Sequence, residues 1–265
     1  MPVDAQAAAR ELVRQHEARE RFRALDGGLE LRDVDAAYAV QDAYVQQVLR
    51  ARNTTLAGYK IALTTHAMRE MVGFHDSISG RLFTDQLRTS GDSVCAANHG
   101  RLIVEFEVAF ELARDLPAAP APWTGESILE HVACAYAALE VADDRNADYA
   151  TLRHSILTLT ADNAWNQGLV LGTRFAAGEL ASLAALEGTA FIDGQDVGRG
   201  TGRDVLGNPA NALAWIANHL SSRDGKLTKG VLVTTGSFVR SQFPVAGQRV
   251  DFVLSGMGEV RLKVE

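Results

Sequence analysis

Residues 102–112 read Leu-Ile-Val-Glu-Phe-Glu-Val-Ala-Phe-Glu-Leu, the most strand-like run in the chain, with no glycine or proline to break it. Successive side chains of a strand point to opposite faces, so Val104, Phe106 and Val108 share one face and Glu105 and Glu107 the other. The first face belongs in a core. The second sets two like charges side by side in apolar surroundings, and if it is covered both carboxylates need a partner. A divalent cation is an economical partner, whereas the commoner meaning of Glu-x-Glu on a strand is a solvated sheet face. Glu140 stands in a similar setting, within Ala137-Ala-Leu-Glu-Val-Ala142. Three carboxylates with no histidine or thiolate nearby suit a hard cation, Mg²⁺ or Mn²⁺.

On the N-terminal side, residues 4–25 lack proline and glycine and predict a helix, ended by Asp26-Gly27-Gly28. A second helix is predicted over 33–51, with Asp33 as N-cap and Ala37, Val40, Tyr44 and Val48 at helical spacing. The segment 58–63 reads as a strand and 67–73 as a short helix. Its Lys60, between Tyr59 and Ile61, is by pattern alone an edge-strand or surface lysine. On the C-terminal side, Pro117, Pro120 and Pro122 form a loop, a helix is predicted over about 125–138, and strands over 139–142, 169–171 and 189–192. Asp193-Gly194 is a hairpin turn signal, and Asn208-Pro209 caps a helix carrying Leu213, Ile216 and Leu220 on one face. Strands follow at 231–235, 249–254 and 259–264. The elements do not alternate as regular βαβ units, so the chain reads as α+β, a mixed β-rich core (56–265) behind an N-terminal helical segment (1–55).

The 265 residues carry a net charge of -7, which leaves no electrostatic footprint for nucleic acid or an anionic membrane. An anionic substrate would need a metal or a few placed cations. Cys95 and Cys134 are far apart and form no CxxC pattern, so neither a disulfide framework nor a thiolate metal site is expected. No basic leader with an apolar run opens the chain, no apolar stretch is long enough to span a bilayer, and a cytoplasmic location is expected. Neither a Gly-x-Ser-x-Gly elbow nor a P-loop occurs, which disfavours serine hydrolase and nucleotide chemistry.

In order and spacing, several short segments together resemble the 2-keto-4-pentenoate hydratase and 4-oxalocrotonate decarboxylase family, within the fumarylacetoacetate hydrolase-like fold group. They are Gly58-Tyr-Lys-Ile-Ala-Leu-Thr64, Gly80-Arg-Leu-Phe83, Glu105-Phe-Glu107 running on to Arg114-Asp-Leu-Pro117, Ala138-Leu-Glu-Val141 with Arg145, Ala161-Asp-Asn-Ala164, Leu171-Gly172, Gly200 to Pro209, and Thr235-Gly236-Ser237. The resemblance covers nearly the whole chain. It implies a mixed β core with an N-terminal helical layer, Mg²⁺ (or Mn²⁺) held by Glu105, Glu107 and Glu140, an essential lysine at Lys60, and homo-oligomer formation.

The substrates so implied are 2-hydroxy-2,4-dienoates and their 2-oxo-3-enoate tautomers, whose carboxylate and 2-oxygen can chelate one cation. Water addition giving a 4-hydroxy-2-oxo acid is the leading reading. Decarboxylation of a 2-oxo-3-enedioate (4-oxalocrotonate) is the first alternative. Acylpyruvate C–C hydrolysis, or a non-catalytic subunit associated with a pathway enzyme, follows. Lys60 is assigned to proton handling or enolate stabilisation, beside a metal that would pull its pKa down. Many hydratases of the family carry an aspartate where this chain has Ile78, which weakens the hydratase reading. Asp76 is taken as the substitute, with a plain loop residue as the other reading for it and for His75. Arg81 is assigned to the distal end of the substrate or to solvent, Ser237 to the substrate carboxylate or a turn, and Asn163, with Asp162, to positioning or to a loop. Trp165-Asn166 stands where relatives often have small residues, and the Trp narrows the pocket in this reading.

Overall fold

A computed structural model of the chain describes residues 3–117, 122–176 and 183–265, so Pro120 of the expected loop lies outside the described residues. Helices α1 (Ala5–Glu17) and α2 (Val34–Arg52) pack against one another as the N-terminal layer. Asp4 and Asp33 cap them, each accepting a backbone N–H in the first turn. The expected helix over 4–25 stops at Glu17. Residues beyond it leave the helix because their backbone is claimed by distant partners: Phe22 N–H donates to Arg145 O at 3.0 Å and Leu25 N–H to Thr158 Oγ1 at 3.0 Å.

Strands β1 (Leu56–Ala62), β2 (Ile78–Phe83) and β3 (Leu87–Thr89) follow, with the short helix α3 (His66–Val72) between the first two. After β4 (Ser93–Val94), the 102–112 run forms β5 (Leu102–Leu112) over its whole predicted length. The helix expected over 125–138 shrinks to α4 (Gly125–Leu129), and the rest becomes the long strand β6 (Val132–Asp143). The alanines of that stretch favour a helix in isolation. Eleven residues of partner strand with matching faces outweigh that preference, and small side chains suit a strand buried on both sides.

Helix α5 (Ile156–Ala161) leads to β7 (Asn166–Ala176), then the hairpin β8 (Glu187–Ile192) and β9 (Gln195–Thr201). Asp193 (φ 51°) and Gly194 (φ 80°) both take positive φ at its turn, as a two-residue hairpin of this hand requires. Helix α6 (Pro209–Ser221), capped by Asn208, is followed by β10 (Leu232–Thr234), β11 (Arg249–Leu254) and β12 (Gly258–Val264).

These strands form a seven-stranded mixed sheet, order β2-β1-β10-β5-β6-β7-β3, and a five-stranded sheet, order β4-β12-β11-β8-β9. The larger sheet curls until β2 packs against β7. Its outer face, with Val104, Phe106, Val108 and Phe110 of β5, makes the main core with the second sheet and α6. Its inner face is layered along β5. Ala109 and Ala138 belong to an apolar plug with Leu82, Leu169 and Leu232, and Ile103 and Ala142 to a second apolar cluster with Ile78 and Trp165. Glu105, Glu107 and Glu140 lie between the two.

Candidate metal centre

The register of β5 on β6 places Glu105 directly opposite Glu140 and Glu107 opposite Ala138, so all three carboxylates enter the same inner face. One oxygen from each lies within 4.8 Å of the others. Glu107 and Glu140 are completely buried, and Glu105 is half-buried. On β1, separated from β5 by β10, Lys60 is buried, with its Nζ 3.1 Å from Glu140 Oε1 and 3.4 Å from Ala164 O.

Each carboxylate is fixed through one oxygen. Ser241 Oγ donates to Glu105 Oε1 at 2.6 Å, Gly236 N–H to Glu107 Oε2 at 2.8 Å, and Asn166 Nδ2 to Glu140 Oε1 at 2.9 Å. The other oxygens of the buried pair, Glu107 Oε1 and Glu140 Oε2, are sealed from solvent with no hydrogen-bond partner among the described residues. Orphaned buried acceptors are rare in folded proteins and call for an explanation such as an ion. With all four groups ionised, three carboxylates against one ammonium leave two uncompensated negative charges. The donor set, oxygen only, is that of a hard divalent cation. The residues therefore fit a divalent metal held by Glu105, Glu107 and Glu140.

The electrostatics show the same tension. Burial, and then the Glu140 and Glu105 carboxylates, push Glu107 well above the usual carboxylate range. Burial also raises Glu140, against the pull of Lys60. Burial by itself lowers Lys60, but the attraction of Glu140, Glu105 and Glu107 outweighs it and the ammonium ends raised. The carboxylates by themselves thus drive Lys60 in the opposite direction from the one expected beside a cation.

The remaining residues singled out in the sequence lie around this cluster, not in it. Asp76 is exposed on the turn before β2, its Oδ1 accepting from Trp215 Nε1 at 2.9 Å and Ser77 N–H at 2.7 Å. Arg81 pairs with Tyr59 in the β1–β2 ladder, one residue off the Lys60–Gly80 pair, so its side chain leaves by the other face. Its guanidinium lies over the Tyr59 ring and donates to Gln41 and Asp42 of α2. Asn163 spends its amide on the Arg81 backbone, accepting its N–H at 2.6 Å and donating to its carbonyl at 2.9 Å. Ser237 Oγ accepts from Phe106 N–H at 2.8 Å and donates to Val239 O at 2.6 Å, stitching the segment after β10 to β5.

Three contributors carried no local signal. Asn166 and Ser241 orient carboxylates from sites remote in sequence. Thr234, on the inner face between β1 and β5, keeps a buried hydroxyl without a partner among the described residues. Gly236 enters the sequence reading only within the Thr235-Gly236-Ser237 segment. Its φ of +101° and the Thr64 side chain, which a Cβ would meet at 2.1 Å, leave room for glycine alone.

Residues 61–265 match the fumarylacetoacetate (FAA) hydrolase C-terminal family. The chain belongs to that family. The three glutamates fall inside the matched span, and the N-terminal layer falls outside it. Among its relatives, the chain is 32% identical over 230 residues to a 2-keto-4-pentenoate hydratase of Burkholderia vietnamiensis, covering 86% of this chain and 85% of that protein. It is 30% identical over 246 residues to the 2-oxo-hept-4-ene-1,7-dioate hydratase of Escherichia coli, covering 92% and 90%. Its fold is similar to that of 4-oxalocrotonate decarboxylase from Pseudomonas putida G7, complexed with magnesium and adipate, with a TM-score of 0.89 at 21% identity over 98% of this chain and 97% of that one. Fumarylpyruvate hydrolase from Pseudomonas aeruginosa, in complex with Mn²⁺ and pyruvate, is similar with a TM-score of 0.60 at 16% identity, covering 78% and 88%. The fumarylacetoacetate hydrolase-like fold, with mixed sheets and an N-terminal helical part, is thus the one expected from the sequence.

Proposed function

We propose that this protein is a Mg²⁺-dependent hydro-lyase that adds water to 2-hydroxy-2,4-dienoates of the 2-keto-4-pentenoate type. The observation that carries the reading is the convergence of Glu105, Glu107 and Glu140, two with an oxygen unpartnered among the described residues, beside the buried Lys60. The hydratase relatives set the substrate class. A divalent cation bound there supplies Lewis-acid stabilisation of negative charge on the 2-oxygen of the substrate and neutralises its carboxylate.

The chain's own residues do the rest. Lys60, held by Glu140 and the Ala164 carbonyl, presents an ammonium at the inner face and is the group placed to give and take protons. Loss of the 2-hydroxyl proton with protonation at C5 converts the dienol into its tautomer, the 2-oxo-3-enoate. Water then adds its oxygen at C4 and a proton at C3, giving the 4-hydroxy-2-oxo acid. On the same face, Thr234 offers a substrate oxygen a hydroxyl without a partner among the described residues. Arg81, Asn163 and Ser237 stand as supports of the walls in this proposal, since their polar groups are already engaged, and Asp76 is an exposed residue held through Oδ1.

A second reading, decarboxylation of 4-oxalocrotonate, is favoured by Ile78. This residue is fully buried on the Lys60 side of β2, in an apolar cluster with Trp165, and offers no group to activate water. The free thiols of Cys95 and Cys134 fit a reducing cytoplasm, and among the described residues no helix is long and apolar enough to cross a membrane. Homo-oligomer formation is carried over from the resemblance, and light scattering tests it.

The deciding assay follows the ultraviolet absorbance of 2-hydroxypenta-2,4-dienoate and, separately, of 2-oxo-3-hexenedioate, with Mg²⁺ or with EDTA. Metal-dependent loss of the pentadienoate chromophore, absent in Glu107→Gln, is expected. Turnover of the hexenedioate alone, with CO₂ release, replaces the first reading by the second. Inertness toward both, with metal still bound, sinks both.

A further inference from the structure

The turn joining α5 to β7 has a conformation that its sequence does not favour. Asn163 (φ 53°), Ala164 (φ 48°) and Trp165 (φ 62°) are three consecutive non-glycine residues in the left-handed region. Such residues are costly singly and rare in succession, and they persist only where the surroundings over-determine them. What this turn delivers is local to the metal centre. The Ala164 carbonyl accepts from Lys60 Nζ at 3.4 Å, and Asn166, at the exit, donates to Glu140 Oε1 at 2.9 Å. The Asn163 amide brackets Arg81, and its carbonyl packs so closely on Gly80 that a Cβ there would meet it at 2.6 Å.

The residue that enters the turn, Asp162, is buried and held through both carboxylate oxygens. Its Oδ1 lies 2.5 Å from His16 Nε2 of α1 and its Oδ2 2.5 Å from Arg145 Nη2. Arg145 is itself buried, and its Nη1 reaches back to Gln15 Oε1 at 3.4 Å and Glu20 O at 3.3 Å. A hub of this kind, tied to α1 on one side and to the β6–β7 connection on the other, holds the start of the turn against relaxation.

We infer that Asp162 is a positioning residue: through the left-handed turn 163–165 it transmits the packing of the N-terminal layer to Lys60 and Glu140, so that the metal centre is set only when α1 is docked. The inference rests on the proposed metal site, while its structural half, the dependence of the turn on Asp162, stands apart from any bound ion.

The test uses full-length wild type, Asp162→Asn, His16→Leu and His16→Gln, compared by crystal structure and by Mn²⁺ titration followed by electron paramagnetic resonance. In Asp162→Asn and His16→Leu, residues 163–165 should leave the left-handed region and the Asn166–Glu140 bond should break. Mn²⁺ should then bind about 10-fold or more weakly, the scale on which lost outer-shell partners act. His16→Gln keeps an N–H donor for Asp162 Oδ1 and should stay within about two-fold of wild type on that scale. A folded Asp162→Asn with an unchanged turn and wild-type Mn²⁺ affinity overturns the inference and leaves Asp162 a purely structural residue. If Asp162→Asn does not fold, the two His16 variants decide: equal affinities and unchanged turns in both overturn it. If wild type binds no Mn²⁺, the proposed metal site fails, and the crystal structures still confirm or overturn the dependence of the turn on Asp162.

Discussion

Glu107 illustrates a residue whose placement serves something other than stability. It is completely buried, keeps one oxygen on the Gly236 N–H and leaves the other without a partner among the described residues, within reach of two more carboxylates. Replacing it by glutamine keeps the acceptor for Gly236 and removes a buried charge that burial and its neighbours disfavour. In EDTA, Glu107→Gln should therefore be more stable than wild type, by about 1–2 kcal/mol in urea denaturation. A lower midpoint than wild type would show that the carboxylate is stabilising without a cation. Asp162 is the opposite case, a buried carboxylate with both oxygens paired. Burial raises its pKa, but His16 and then Arg145 outweigh burial and hold it below the usual range. A carboxylate depressed in the folded state contributes stability that is present above its unfolded pKa and lost as pH falls through the folded value. Asp162→Asn should cost about 3–5 kcal/mol near neutral pH, the scale of a broken buried ion pair, and the deficit should shrink on acidification below pH ~4. A deficit that does not change with pH would argue against the ion pair.

Between elements, packing is controlled by a few close approaches. The segment after β10 passes so near Thr64, which follows β1, that Gly236 admits no side chain. Gly236→Ala should lose about 1–3 kcal/mol through φ strain and collision and should weaken Mn²⁺ binding, because the N–H that orients Glu107 moves with it. Unaltered Mn²⁺ affinity in a folded variant would detach this glycine from the site. Helix α6 meets α2 through His219, whose ring stacks on Trp215 and lies against Tyr38. Burial, followed by the nearby Arg223 and Arg81 charges, lowers His219 to about 4 despite Asp76. Between that value and its ordinary 6.5 the unfolded chain binds more protons. This contact is therefore fully stabilising above pH 6.5 and weakens as pH falls toward 4. After allowance for the water that reaches the ring, the loss is about 1 kcal/mol. His219→Phe should flatten the melting temperature over that window, and an unchanged slope would assign the acid sensitivity elsewhere.

At the level of the molecule, the inner face of the curled sheet holds a charged layer between two apolar ones, and the fold must stay closed around it. A cation that binds only this folded arrangement stabilises all of it by mass action. At about 100 times its Kd, Mg²⁺ should add about 2.7 kcal/mol and raise the melting temperature by several degrees, an effect abolished by EDTA and absent in Glu107→Gln. No shift in wild type would count against a metal centre here. The same layering explains why the N-terminal helices matter: α1 and α2 bury their apolar faces against Leu25, Phe83 and Ala161, beside the turn that reaches Lys60 and Glu140.

Much of this was legible in the chain itself. The alternation of β5 already separated core face from carboxylate face, and Asp33, Asn208 and Asp193-Gly194 marked their caps and turn, because those signals act over a few residues and need no partner. Glu105, Glu107 and Glu140 were recognisable as charges in apolar runs, and the family resemblance joined them. Their meeting on one inner face depends on the β5–β6 register, which pairs residues some thirty-five apart. The length of β6 and the early end of α1 escaped local reading because long-range pairing overrode helix propensity. The left-handed turn at 163–165 contains no glycine to announce it. Ser241, Asn166 and Thr234 look like ordinary polar residues until the sheet curls and brings them to the carboxylates, since a hydrogen bond between distant segments leaves no pattern in either.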